Sequence, residues 1–123
     1  MTDTLDILHI TTVMGQGGAD KQILDLSKEY IHHGHNVQII CLRPLGPMGN
    51  SAIKQGIAVN SLNLSKNIKS TTDLIELIKS AREFDPDIVH GHMFHGNILA
   101  RLTRPFVDAS AVISTIHNID ESY

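Results

Sequence analysis

The sequence has little of what several protein classes require. Its 123 residues include no tryptophan and one cysteine, and aromatic residues make up only 4%. A single cysteine cannot form an internal disulfide, which excludes a disulfide-stapled secreted scaffold. No apolar run approaches the ~20 residues that cross a bilayer, and the first residues lack the basic and apolar regions of a signal peptide. We therefore expect a cytoplasmic chain with an aliphatic core.

Excess positive charge is also missing. Ten Lys and Arg residues stand against thirteen Asp and Glu residues, which gives a formal net charge of −3. The basic residues are scattered, whereas nucleic-acid-binding domains usually carry a clustered basic surface, so nucleic acid is not expected as a partner. With 41% apolar and 19% charged residues, the chain has the composition of one globular domain.

Short apolar runs alternate with segments of helical periodicity. The runs bounded by turn residues predict strands at residues 5–12, 36–42, 57–62, 87–92 and 111–116. Apolar residues at helical spacing predict helices across residues 23–31, 74–81 and 94–102. Asp73 and Glu76 have the spacing of a capping pair, so the second helix is expected to begin at Asp73. Two prolines and two glycines predict a mobile, irregular loop over Arg43–Asn50.

This alternation predicts an α/β fold, because parallel strands need long crossovers that return helices to the faces of the sheet. The expected architecture is a Rossmann-like, doubly wound parallel sheet with strand order 3-2-1-4-5. Strands one and four are then neighbours, and their C-terminal ends flank a crevice. Ligands of open α/β sheets bind at such a point.

A glycine pair at the end of strand one is the first candidate site. Gly17 and Gly18 lack Cβ atoms just before a helix, so backbone N–H groups there can approach a phosphate closely. The alternative is that the pair only allows a tight turn. A dinucleotide fingerprint would need a third glycine where Asp20 stands, which disfavours nicotinamide binding, and no P-loop lysine follows.

Histidines near the end of strand four are the second candidate. His90 and His92 are two residues apart, so they point to the same face of the strand. No carboxylate or thiolate accompanies them, so a metal site is not expected. His90 is interpreted as a core histidine. His92, at the strand end, is the better candidate for contacting a ligand. His95 could cap the next helix or face the crevice, and His117 could bind a ligand or make a structural hydrogen bond.

Three segments in this order carry a family resemblance: ILHITTVMGQGGADKQILDLSKEYIHHGHNVQIICL, FDPDIVHGHMFHGNILARL and AVISTIHN. Together they resemble the N-terminal domain of GT-B retaining glycosyltransferases of family four. The most specific elements are Gly17-Gly18 before the first helix, Gly34-His35 before a valine-containing strand, and residues 86–92. The resemblance covers nearly the whole chain.

The resemblance implies sugar transfer from a nucleotide sugar with retention, without a protein nucleophile, a metal or another cofactor. Gly17 and Gly18 would lie against the donor diphosphate, and His92 would be the catalytic contact to the transferred sugar. The residues implied on the sugar and acceptor side are His95, His117 and Asn118. A neutral imidazole can hydrogen-bond a sugar hydroxyl, which agrees with these roles.

The sequence ends at Tyr123, soon after strand five, whereas the family continues into a separate donor-binding domain. We therefore expect residues 1–123 to be a truncated acceptor-side domain of GT-B architecture that is inactive without its C-terminal partner domain. The intact enzyme would work in the cytoplasm, with peripheral contact to the inner face of the membrane. The alternatives are a nucleotide-binding oxidoreductase module and a non-catalytic docking domain.

Overall fold

Five parallel strands form one sheet in the computed structural model, which describes residues 4–15, 18–64, 70–92 and 99–115. The strands are β1 (Asp6–Thr11), β2 (Asn36–Cys41), β3 (Ala58–Ser61), β4 (Ile88–His92) and β5 (Ala111–Thr115). The helices are α1 (Gly18–His32), α2 (Pro47–Lys54) and α3 (Thr71–Phe84), and a 3-10 turn covers Arg104–Phe106. None of the helices described here combines the length and apolar character that crossing a bilayer requires.

The sheet order is β3-β2-β1-β4-β5, which confirms the predicted Rossmann-like topology. β1 lies in the centre and pairs with β2 on one side and β4 on the other. In this register His9 lies opposite Ile39 of β2 and His90 of β4. Register partners in neighbouring strands project from the same face of a sheet, so His9 and His90 share a face.

The two faces of the sheet have separate cores. On one face, Leu8 and Ile10 of β1 pack with Val89 of β4 and with α3, whose Leu77 is fully buried. On the other face, Ile39 and Cys41 of β2 pack with residues of α1 and α2. The buried residues of this second core are Met14, Ile23, Leu24, Ile39, Cys41, Ala52 and Ile57. Successive strand residues alternate between the two cores, as a sheet covered on both sides requires.

The prediction of an irregular loop over Arg43–Asn50 is wrong in its second half, because α2 begins at Pro47. Proline fits the first helical turn, where its missing N–H would have no intrahelical acceptor. The next two N–H groups are used: Met48 donates to the carbonyl of Gly15 and Gly49 to that of Met14, each at 2.9 Å. The start of α2 is therefore held by the segment that follows β1.

The predicted start of the next helix is also corrected. α3 begins at Thr71, and its cap is Ser70, whose hydroxyl accepts the backbone N–H of Asp73 at 3.3 Å. Asp73 thus lies inside the first turn rather than at the cap. Its negative charge in the first turn still complements the helix dipole. The helix predicted across 94–102 is described only from residue 99, where residues 99–103 are helical.

Candidate functional site

The C-terminal edge of the sheet brings the first two candidate regions together. β1 ends at Thr11, and after a short connection α1 begins at Gly18. β4 pairs directly with β1 and ends at His92. The N-terminus of α1 therefore belongs to the same edge as His92. Gly17 lies outside the described residues.

The connection after β1 is held in place by an acidic side chain of α1. The Asp20 carboxylate accepts the backbone N–H of Gly15 at 2.9 Å, and Asp20 is buried. From the sequence alone, Asp20 only argues against a dinucleotide fingerprint, because it stands where the third glycine would be. In the structure it ties Gly15, at the end of the described part of the connection, to the first turn of α1.

Three histidines form a cluster on the face of the sheet that α1 covers. The ring centroid of His9 lies 5.2 Å from that of His90 and 4.9 Å from that of His92, and the last two rings stack at 4.0 Å. All three side chains are buried. Tyr30 of α1 stacks on His9, with 6.0 Å between ring centroids. We call His9, His90 and His92 the histidine cluster.

A short polar contact joins the two strands inside the cluster. Nδ1 of His9 lies 2.8 Å from Nε2 of His92, so one ring donates a hydrogen bond to the other. Burial, with a smaller contribution from the neighbouring His90, lowers the pKa of His9 from 6.5 to about 3. His9 is therefore neutral at physiological pH, because an imidazolium cannot be solvated there.

The structure places His92 at the end of β4, where it was predicted, but inside the protein: it is 1% exposed. His90 is buried in the strand, which agrees with its interpretation as a core histidine. The remaining candidates, His95, His117 and Asn118, lie outside the described residues. Their predicted roles stay predictions.

Sequence reasoning missed His9. Its position inside an apolar run predicts a buried strand and gives no sign of chemistry. Only the pairing of β1 with β4, in register, puts it opposite His90 and two positions from His92 on the same face. The predicted strand order contained that signal, but a register cannot be read from one strand alone.

Cys41 offers no alternative chemistry. It is fully buried in β2, and burial raises the pKa of its thiol. A protonated, inaccessible thiol is a poor nucleophile. Cys41 is therefore a small residue of the core.

A cavity of about 390 Å³ lies at the end of β3, beside α3. Its lining includes Asn60, Ser61, Asp73 and Glu76. The two carboxylates make this cavity a better match for hydroxyl or cationic groups than for phosphate. It does not include the histidine cluster.

Comparisons with known proteins agree with this fold. The family model described as Glycosyltransferase Family 4 matches residues 16–123. A crystal structure of a glycosyltransferase from Rickettsia africae ESF-5 superposes with a TM-score of 0.69 at 17% sequence identity. The match covers 96% of this chain and 32% of that one, so this chain spans about a third of that protein. A search of curated proteins gives no match.

Proposed function

Because the chain belongs to Glycosyltransferase Family 4, we propose that it is the acceptor-side domain of an enzyme that transfers a sugar from a nucleotide sugar with retention. One observation carries the proposal: the start of α1 at Gly18 and the end of β4 at His92 belong to neighbouring strand connections at one sheet edge. A donor diphosphate and its sugar need such a pair of contacts side by side.

The backbone at the start of α1 would bind the diphosphate. Its N–H groups and the positive end of the helix dipole favour an anion, and they would stabilise the charge that grows as the bond from the sugar to the diphosphate breaks. The acceptor oxygen then bonds to the same sugar carbon from the same face, and its proton passes to the departing phosphate. No protein nucleophile enters this step.

His92 would hydrogen-bond a hydroxyl of the transferred sugar. Its Nε2 lies 2.8 Å from Nδ1 of His9, so the ring is oriented by a contact within the histidine cluster. The ring is almost fully buried, and a sugar would reach it only after side chains at the sheet edge rearrange. Closure of a second, donor-binding domain over this edge would drive that rearrangement and exclude water.

The acceptor is proposed to be a lipid-linked, polysaccharide or small-molecule hydroxyl, bound on this domain at the inner face of the cytoplasmic membrane. His95, His117 and Asn118 remain the proposed contacts of the sugar and the acceptor, and Gly17 remains a proposed contact of the donor diphosphate. The donor-binding domain is the partner that the proposal requires.

The test compares this chain with a longer protein in which a donor-binding domain follows it. We expect the 123-residue chain to bind nucleotide sugars weakly and to transfer none, and the longer protein to transfer sugar. Turnover by the short chain alone would contradict the proposed division of labour. Titration with nicotinamide cofactors is the control, and tight binding there would favour an oxidoreductase module.

Two variants of the longer protein test the site itself. Gly18→Val should lower transfer by at least about 100-fold, the scale seen when one stabilising donor is lost, while the fold is kept. His92→Ala should raise the activation free energy of transfer, measured from kcat, by more than it lowers the free energy of unfolding. Normal transfer by Gly18→Val, or parallel loss of stability and activity in His92→Ala, would contradict these roles.

A further inference from the structure

We propose that His9, His90 and His92 form a binding site for a divalent transition metal of the zinc class. The inference rests on the arrangement of the histidine cluster. It shares His92 with the sugar-transfer proposal, but none of its arguments depends on sugar transfer. It also revises the expectation from the sequence, which considered the histidines of β4 without a ligand from the neighbouring strand.

The first argument is the distance between the ring nitrogens. One nitrogen from each of the three histidines lies within 4.8 Å of the other two. In a tetrahedral zinc site, Zn–N bonds of about 2.0–2.1 Å put ligand nitrogens roughly 3.4 Å apart. Side-chain rotations that move the nitrogens by about 1 Å would therefore converge the three rings on one ion.

The second argument is that the backbone already brings the ligands together. His9 and His90 are register partners in the hydrogen-bonded pair of β1 and β4, and His92 follows two residues later on the same face. Both strands lie in the interior of the sheet. A metal ion would meet three ligands positioned by a rigid element, so little conformational entropy would be lost on binding.

The third argument is an unsatisfied atom. Nε2 of the fully buried His9 has no hydrogen-bond partner among the residues that the structure describes. Buried polar atoms are nearly always paired, so this ring needs a further partner. A metal ion coordinated by His9 would supply this partner. The hydrogen bond between His9 and His92 would reorganise when the ion binds.

The ligand set also selects the metal. Three neutral imidazoles suit zinc, cobalt, nickel and copper, whereas calcium and magnesium prefer oxygen ligands. Three protein ligands leave one tetrahedral position open for water or another group. Metals bind the neutral form of the imidazole ring.

The experiment titrates the chelator-treated 123-residue chain with Co²⁺, whose visible absorption reports tetrahedral coordination, and then displaces it with Zn²⁺. We expect one Co²⁺ per chain with tetrahedral bands that Zn²⁺ removes. Loss of an outer partner of a metal site typically weakens binding by about 10–100-fold, so loss of a ligand in His9→Gln should weaken it at least tenfold.

The matched control replaces two histidines outside the cluster. His32 and His33 are exposed at the end of α1, and the double variant His32→Gln/His33→Gln should bind Co²⁺ as the unchanged chain does. The proposal is overturned if no tetrahedral bands appear, if His9→Gln binds normally, or if the control variant loses binding.

A second measurement covers the case in which His9→Gln does not fold. In the unchanged chain, imidazole NMR signals of His9, His90 and His92 should shift together on addition of one equivalent of Zn²⁺. Shifts confined to His32 and His33 would overturn the site. Because neither measurement uses a sugar nucleotide, failure here is distinguishable from failure of the proposed transferase function.

Discussion

The two faces of the central strand pair differ in kind. Toward α3, β1 and β4 contribute Leu8, Ile10 and Val89 to an aliphatic core. Toward α1, the same strands contribute His9, His90 and His92, all buried. One face is suited to stability alone, and the other buries polar groups that need specific partners. The comparison shows that one side of the strand pair supplies apolar packing while the other brings three buried histidines together.

The largest expected effect comes from damaging the aliphatic face. Leu8 is 0% exposed, and Leu8→Ala should lower the free energy of unfolding by about 2–5 kcal/mol, because it removes buried methyl groups and leaves a cavity. Urea unfolding followed by circular dichroism measures this. The control is Ile75→Ala on α3, where the side chain is 50% exposed and the change should stay within about 0.5 kcal/mol. Equal losses in the two variants would contradict the assigned core.

Acid should expose the difference between the faces more directly. The pKa of His9 is lowered from 6.5 to about 3 in the native state, so the unfolded chain binds a proton that the native chain does not. The contribution of neutral His9 to the free energy of unfolding is then fully present above about pH 6.5. It declines as the pH falls toward 3, by roughly 1.4 kcal/mol for each pH unit. Between pH 6.5 and 4.5 the expected loss is therefore roughly 2–3 kcal/mol.

The matched variants separate this effect from general acid denaturation. His9→Leu should flatten the decline over this range, measured with a chelator present, whatever its stability at neutral pH. Leu8→Ala should lower the whole curve and keep its slope. If His9→Leu kept the slope of the unchanged chain, the titrating group would be another residue.

The sequence was informative where local pattern decides the structure. The apolar runs predicted all five strands, and their alternation with helices predicted the observed order. The start of α2 was missed because proline and glycine were taken to disfavour a helix, whereas Pro47 and Gly46 stand where a helix starts. Two hydrogen bonds to the carbonyls of Met14 and Gly15, over thirty residues away in sequence, stabilise the start of that helix.

The candidate site was predictable only in part, for the same reason. His92 could be placed at a strand end from the sequence, but its partner His9 requires the register between two strands separated by helices. The hydrogen bond between them joins residues 83 positions apart. Local patterns give the strands; they do not give which side chains meet across them.

The start of α2 allows a smaller test on the α1 side of the sheet. A Cβ at Gly46 would lie 2.8 Å from the carbonyl oxygen of Met14 and 2.9 Å from Cα of Gly15. Because both atoms are backbone, Gly46→Ala should destabilise the protein by about 1–3 kcal/mol, as overpacking typically does. At Gly49 the nearest atom is the flexible end of Leu45, at 2.9 Å, so Gly49→Ala should cost less. Thermal unfolding of the two variants measures the difference, and the reverse order would contradict this packing.

The smallest expected effect concerns the helix on the aliphatic side, whose start depends on its own sequence rather than on a distant loop. Ser70 caps α3 through the N–H of Asp73, and Ser70→Ala should lower the free energy of unfolding by about 1 kcal/mol. Ser70→Asp keeps an acceptor at the cap and should keep the stability. Urea midpoints at neutral pH measure both variants. Since the cap is remote from the histidine cluster, Ser70→Ala should leave the acid slope unchanged, and a slope that changed with it would mean that the two faces are coupled.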